Sequence, residues 1–227
     1  MRKNRRLLNG DLLTLQVPDA AALPGSTAIS VLSLDDHELE VNSGTAADLE
    51  FYLSISGSQL TDEVTLRDGS ALRYGRHGAD PASGFVFAVA VGEHHVYGFT
   101  VPTMDIETLT SYLAGVTFRP HEDGPTLELS GSVTWSQYRT HTVAQVVDLS
   151  EGQGFLLDVR RTRTGDIARD GAGMEVPGGW LTRSSTEERH AYAVLEATDF
   201  VSYGIPGNQG DVDLVATVLS GVTTELG

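Results

Sequence analysis

One segment of this chain is written twice, and that repetition constrains the fold more than any other feature. Residues 97–117 read YGFTVPTMDIETLTSYLAGVT and residues 203–223 read YGIPGNQGDVDLVATVLSGVT, aligned without a gap at a constant offset of 106 residues. Tyr97/Tyr203, Gly98/Gly204, Asp105/Asp211, Leu113/Leu219, Gly115/Gly221, Val116/Val222 and Thr117/Thr223 are identical. An internal copy at a domain-sized period decides the architecture before any local pattern does. It predicts two tandem modules of about 100 residues. Their expected bounds are 27–120 and 121–227, behind residues 1–26, which read as a basic N-terminal arm or a single strand, followed by a linker.

Inside the repeat, Asp105 and Asp211 stand where a carboxylate caps a helix by accepting from free backbone N–H groups. Ile106, Leu109, Leu113 and Val116 follow at helical spacing, as do Val212, Val215, Leu219 and Val222. Gly115 and Gly221 fall where a left-handed residue commonly ends a helix. Each module is therefore expected to carry one short helix over a sheet edge. Elsewhere the chain reads as short β-type runs, at 28–34, 49–55, 63–66, 85–91 and 95–101. They are separated by Asn42-Ser43-Gly44, Asp68-Gly69, Gly92-Glu93 and Asp123-Gly124-Pro125. In 49–56, Leu49, Phe51, Leu53 and Ile55 alternate with Glu50, Tyr52, Ser54 and Ser56, which predicts a strand with one core side and one wet side. The fold class expected is all-β, as sandwich modules.

The string DIETLTSYLAGVTFRPHEDGPTLELSGSVTW, residues 105–135, resembles the cadherin-like repeats of bacterial adhesins. The matching positions are Leu109, Leu113, Ala114, Gly115, Val116, Thr117, Phe118 and Pro120. The resemblance implies immunoglobulin- or cadherin-like β-sandwiches with extracellular or surface duty.

Composition narrows the function. A formal net charge of −16 opposes sequence-independent binding to nucleic acid, which needs cations against phosphates. No stretch approaches the ~20 apolar residues that span a bilayer, so no membrane insertion is expected. The chain has no cysteine, hence no disulfide and no thiolate metal site. Its start is basic, but Asn9, Asp11 and Gln16 interrupt the apolar core that a signal peptide requires. A cleaved signal is therefore not expected.

No catalytic, cofactor or metal site is expected. There is no G-x-S-x-G elbow. His94 and His95 are neighbours on a strand and point to opposite faces. His37, His77, His121, His141 and His190 are scattered singly, and the acid pairs Asp35-Asp36 and Glu187-Glu188 read as solvated charge. Asp166, Asp170 and Glu175 suggest a calcium loop, but Ala168 breaks its ligand alternation. Arg160, Arg161 and Arg163 end an apolar run, where they serve as a small cationic patch or as partners of Asp158 and Asp166. Trp135, Trp180, Tyr138 and Tyr192 are the candidates for a sugar platform; otherwise they belong to the cores.

The function expected is that of a non-enzymatic assembly subunit, a virion tail or capsid-associated component in an extracellular assembly. The alternative is a surface adhesin or carbohydrate-binding module at a bacterial cell surface. Partner binding is assigned to the arm: Arg2, Lys3, Arg5 and Arg6 steer toward an acidic neighbour or a second copy, and Leu7 and Leu8 supply apolar area.

Overall fold

The structure is a computed structural model that describes residues 1–20, 22–34, 37–77, 84–149, 152–162, 173–183, 191–207 and 211–227. The chain opens with strands β1 (Arg2–Arg6), β2 (Leu12–Gln16), β3 (Ser26–Leu34) and β4 (His37–Thr45), then helix α1 (Ala46–Ser56). Strands β5 (Asp62–Thr65), β6 (Ala71–Arg76), β7 (Phe85–Val91) and β8 (His94–Phe99) lead to α2 (Ile106–Leu113). Next come β9 (Val116–Arg119), β10 (Thr126–Leu129), β11 (Val133–Trp135), β12 (Thr142–Asp148) and β13 (Gly154–Arg161). The rest comprises β14 (Met174–Val176), β15 (Gly179–Arg183), β16 (Ala193–Glu196), β17 (Phe200–Pro206), α3 (Val212–Leu219) and β18 (Thr223–Leu226). The fold is all-β, built on antiparallel ladders.

The chain divides into two compact units. The first comprises Arg6–Gly10 and Thr27–His141; the second comprises Met1–Arg5, Asp11–Ser26 and Thr142–Gly227. Within the first, strands pair in the order β3-β4-β8-β7-β6-β5, with β11 on β3 and a separate β9–β10 ribbon. Within the second, the order is β12-β13-β17-β16-β15-β14, with a separate β1-β2-β18 sheet. The two orders are the same, strand for strand. The duplication thus extends across six strands and the helix that follows them, well beyond the residues whose identity survives in sequence.

The repeated helices sit where the repeat places them. The Asp105 carboxylate accepts from the Thr108 N–H at 2.8 Å, and Asp211 accepts from the Asp213 N–H at 2.8 Å. Leu109 and Leu113 are buried in the first core with Leu32, Phe87 and Val96. Val215, Ala216, Val218 and Leu219 are buried in the second. The shared glycines act differently from the expectation, because the residues capping the two helices, Ala114 and Ser220, are right-handed. A Cβ on Gly115 would lie 2.8 Å from the Ser130 carbonyl oxygen, and one on Gly221 would lie 2.6 Å from Pro18 Cγ. Close approach, not a left-handed turn, is what requires glycine at both positions.

Two local expectations are corrected. Residues 49–56 are not a strand but most of α1. Thr45 and Asp48 form a reciprocal capping box, and left-handed Gly57 ends the helix with its N–H on Leu53 and Ser54 carbonyls. Asn42-Ser43-Gly44 is not a turn but lies inside β4, with Asn42 and Ser43 buried.

The boundaries differ as well. Residues 1–26 are not a detached arm: β2 pairs with β18 (Leu15 opposite Thr224, Leu13 opposite Leu226), and Leu13, Leu15 and Val17 are buried. In the first unit β9 finds its partner β10 next along the chain. In the second unit the equivalent strand β18 takes its partner from the beginning of the chain. Residues 121–141 stay with the first unit, since β10 and β11 complete its sheets.

Candidate binding groove

The second unit has a groove of about 780 Å³ where the ends of two hairpins meet β18. The β14–β15 turn forms one wall, the β16–β17 turn a second, and Thr223, Thr224 and Glu225 a third. Glycine makes this approach close. A Cβ on Gly178 would lie 2.1 Å from the Val222 carbonyl oxygen, and one on Gly179 would lie 2.1 Å from that of Glu196.

Strand register then sets the side chains. Glu175 is opposite Trp180, and Trp180 is opposite Glu196, so the three form one row across β14, β15 and β16. Asp199 and Glu225 join them in lining the groove, which holds four carboxylates and no lysine or arginine among its described residues. Among the described residues, Trp180 Nε1 and Glu196 Oε2 are shielded from solvent and have no hydrogen-bond partner. Concave carboxylate lining concentrates negative potential and attracts cations.

The same face of the second unit carries apolar side chains. Val146 is opposite Leu156, and Leu156 is opposite Ile205, so the three make a row across β12, β13 and β17. Their exposures are 41%, 38% and 41%. Beside them Asp158 pairs with Arg160 at 2.6 Å, and the Arg160 guanidinium lies 4.8 Å from the Tyr203 ring centroid. The hydrogen bond to Asp158 raises the Arg160 pKa.

In the first unit, α1 covers the corresponding face. Tyr97 is 1% exposed and packs with Leu49 and Ala88, and the Tyr52 ring meets it edge-on at 4.8 Å. Burial, followed by the Glu40 carboxylate, pushes the Tyr52 hydroxyl pKa well up. A smaller cavity of about 310 Å³ beside α1 is lined by Leu49, Leu53, Arg73 and His95, among others. Burial, with Arg73 second, lowers the His95 pKa.

The residues singled out from sequence are placed as follows. Lys3 Nζ donates to the Leu23 carbonyl at 2.8 Å. Arg6 forms a two-point ion pair with Asp123, at 2.8 and 3.1 Å. Arg5, Leu7 and Leu8 are buried, and Arg2 is exposed. Arg161 pairs with Asp11. Trp135 packs edge-on to His141 at 4.9 Å, Tyr192 lies 5.9 Å from Tyr203, and Tyr138 is 83% exposed. His94 is buried and His95 half-buried. No cluster of metal-ligating side chains occurs among the described residues. Asp35, Asp36, Arg163, Asp166, Ala168, Asp170, Glu187, Glu188 and His190 lie outside the described residues.

Among the groove residues the sequence singles out Trp180, Glu175 and, within the repeat, Thr223. Glu196 and Asp199 flank one turn, while strand pairing brings Glu175 to them and tertiary packing brings Glu225; Pro177-Gly178-Gly179, a hairpin signal, is the local feature that points to the groove. Among the described residues no helix is long and apolar enough to cross a membrane. No protein-family model matches the chain, nor does any curated protein or solved structure.

Proposed function

We propose that this protein is a non-enzymatic assembly subunit, a virion tail or capsid-associated component, whose second unit docks onto a neighbouring subunit through its outer sheet face. The observation that carries this reading is the Val146–Leu156–Ile205 row. An antiparallel sheet normally turns polar side chains to water on its outer face. Apolar residues grouped on adjacent strands instead mark a surface that a partner covers. The α1 helix adds support: Phe51 and Ile55, one turn apart, are 67% and 68% exposed, although its opposite side is already packed on the sheet. An immunoglobulin- or cadherin-like ancestry for the units is part of the proposal, supported by the antiparallel ladders and by residues 109–120.

Light scattering of the purified protein across a concentration series tests the assembly. Oligomers that dissociate in Leu156→Glu, with circular dichroism unchanged, support it. A monomer at every concentration, absent from purified particles by mass spectrometry, would sink it. Glycan binding that disappears in Trp180→Ala would favour the adhesin or carbohydrate-binding alternative.

A further inference from the structure

The acidic groove is bordered by β18, an edge strand with one ladder partner, β2, among the described residues. It lines the groove through Thr223, Thr224 and Glu225. A free edge presents unpaired backbone N–H and C=O groups, a template for one more strand. This edge carries Glu225, and like charges across a strand pair are destabilising. Another copy of the same acidic edge is therefore a poor occupant, whereas a strand of opposite charge is a good one.

We infer that the groove binds an extended, lysine- or arginine-bearing segment of a partner protein by adding it as a strand along β18. Charge complementarity selects the occupant, since Glu175, Glu196, Asp199 and Glu225 line the groove with no lysine or arginine among its described residues. Trp180 offers a ring face on which a guanidinium or ammonium group stacks. Among the described residues the buried Oε2 of Glu196 has no donor, and a cationic side chain supplies one, relieving the cost of an unpaired buried acceptor. Backbone pairing gives affinity, and alternate side chains reaching the carboxylates give selectivity. The inference is independent of assembly through the outer sheet face, so either can fail alone.

The test is fluorescence polarisation with the full chain and a labelled peptide alternating arginine with threonine. Three further probes are used: its glutamate–threonine counterpart, an arginine–threonine peptide N-methylated on alternate residues, and a panel of neutral oligosaccharides. The expected result is binding of the unmodified basic peptide alone, weakening as salt rises. Glu225→Gln with Asp199→Asn, both at exposed positions, should weaken it roughly tenfold. Trp180→Phe should retain binding and Trp180→Ala should lose it, with melting curves confirming that each variant folds. Trp180 is one of two tryptophans, so quenching in a Trp135→Phe background reports the site directly. The inference is overturned if the basic peptide does not bind, if the N-methylated peptide binds equally, or if the carboxylate variants leave affinity unchanged. Oligosaccharide binding without peptide binding overturns it in favour of a sugar site.

Discussion

Among the described residues, the two units share one strand order and differ in what lies over the outer face of the sheet. In the first, Ala88 is opposite Tyr97 on β7 and β8, and both are buried beneath Leu49 and Tyr52 of α1. In the second, Val194 is opposite Tyr203 at the matching register on β16 and β17, and both are only half-buried. The β4–β5 connection supplies α1; the matching β13–β14 connection lies mostly outside the described residues. A duplicated scaffold thus keeps its core and repeated helix while the outer face diverges. Core packing tolerates little change, whereas an outer face is free to acquire a cover or a partner.

The largest effect should come from the strand that closes the second unit. Leu13→Ala, Leu15→Ala and Val17→Ala together remove three buried side chains at roughly 1–5 kcal/mol each. That sum is comparable with the whole stability of a domain. Hydrogen exchange should show β17, α3 and β18 losing protection while β4, β7 and β8 keep theirs. If both units lose protection equally, or neither does, the assignment of the N-terminal strands to the second unit is broken. The same construction implies that removing residues 1–8 does not spare the fold, because β1, Leu7 and Leu8 are built into it.

A smaller effect should separate the paired tyrosines. Tyr97→Ala empties a site beneath α1 and should cost about 3–5 kcal/mol in the first unit. Tyr203→Ala, at the matching but open position, should cost the second unit roughly 1–2 kcal/mol. Equal costs, read unit by unit from hydrogen exchange, would show that the second face is covered after all.

The smallest effect concerns pH. His95 in the first unit corresponds to Val201 in the second at the repeat offset. Burial holds the His95 pKa below its usual 6.5, so the unfolded chain binds its proton more readily than the folded one. Its contribution to stability is complete above pH 6.5 and is lost as pH falls from there through the lower folded value. His95→Gln should flatten that slope in the first unit. A slope unchanged by the substitution would assign it to other groups.

What could be read in advance depended on the range of each interaction. The capped helices after Asp105 and Asp211 were legible because cap, apolar stripe and end lie within a dozen residues. The Phe85–Val91 strand was legible from its unbroken apolar run. The α1 segment was misread because Leu49, Phe51, Leu53 and Ile55 also satisfy a period of two. With Tyr52 and Leu53 packed inward and Phe51 and Ile55 exposed, the helix is apolar on both sides. Thr45, Asp48 and Gly57 carried the deciding signals, through capping and not through periodicity.

The sequence by itself determined that the chain is a duplicated, antiparallel, acidic β protein, because turns, caps and alternation act over a few residues. Tertiary structure alone decided three further features. It paired β2 with β18, so that the chain's beginning completes its last unit. It also brought Glu175, Trp180, Glu196 and Glu225 around one groove, and it placed α1 over one sheet face. The physical reason is common to all three. Which remote strand supplies a ladder partner depends on the total apolar area that closure buries, and no local window of residues contains that quantity.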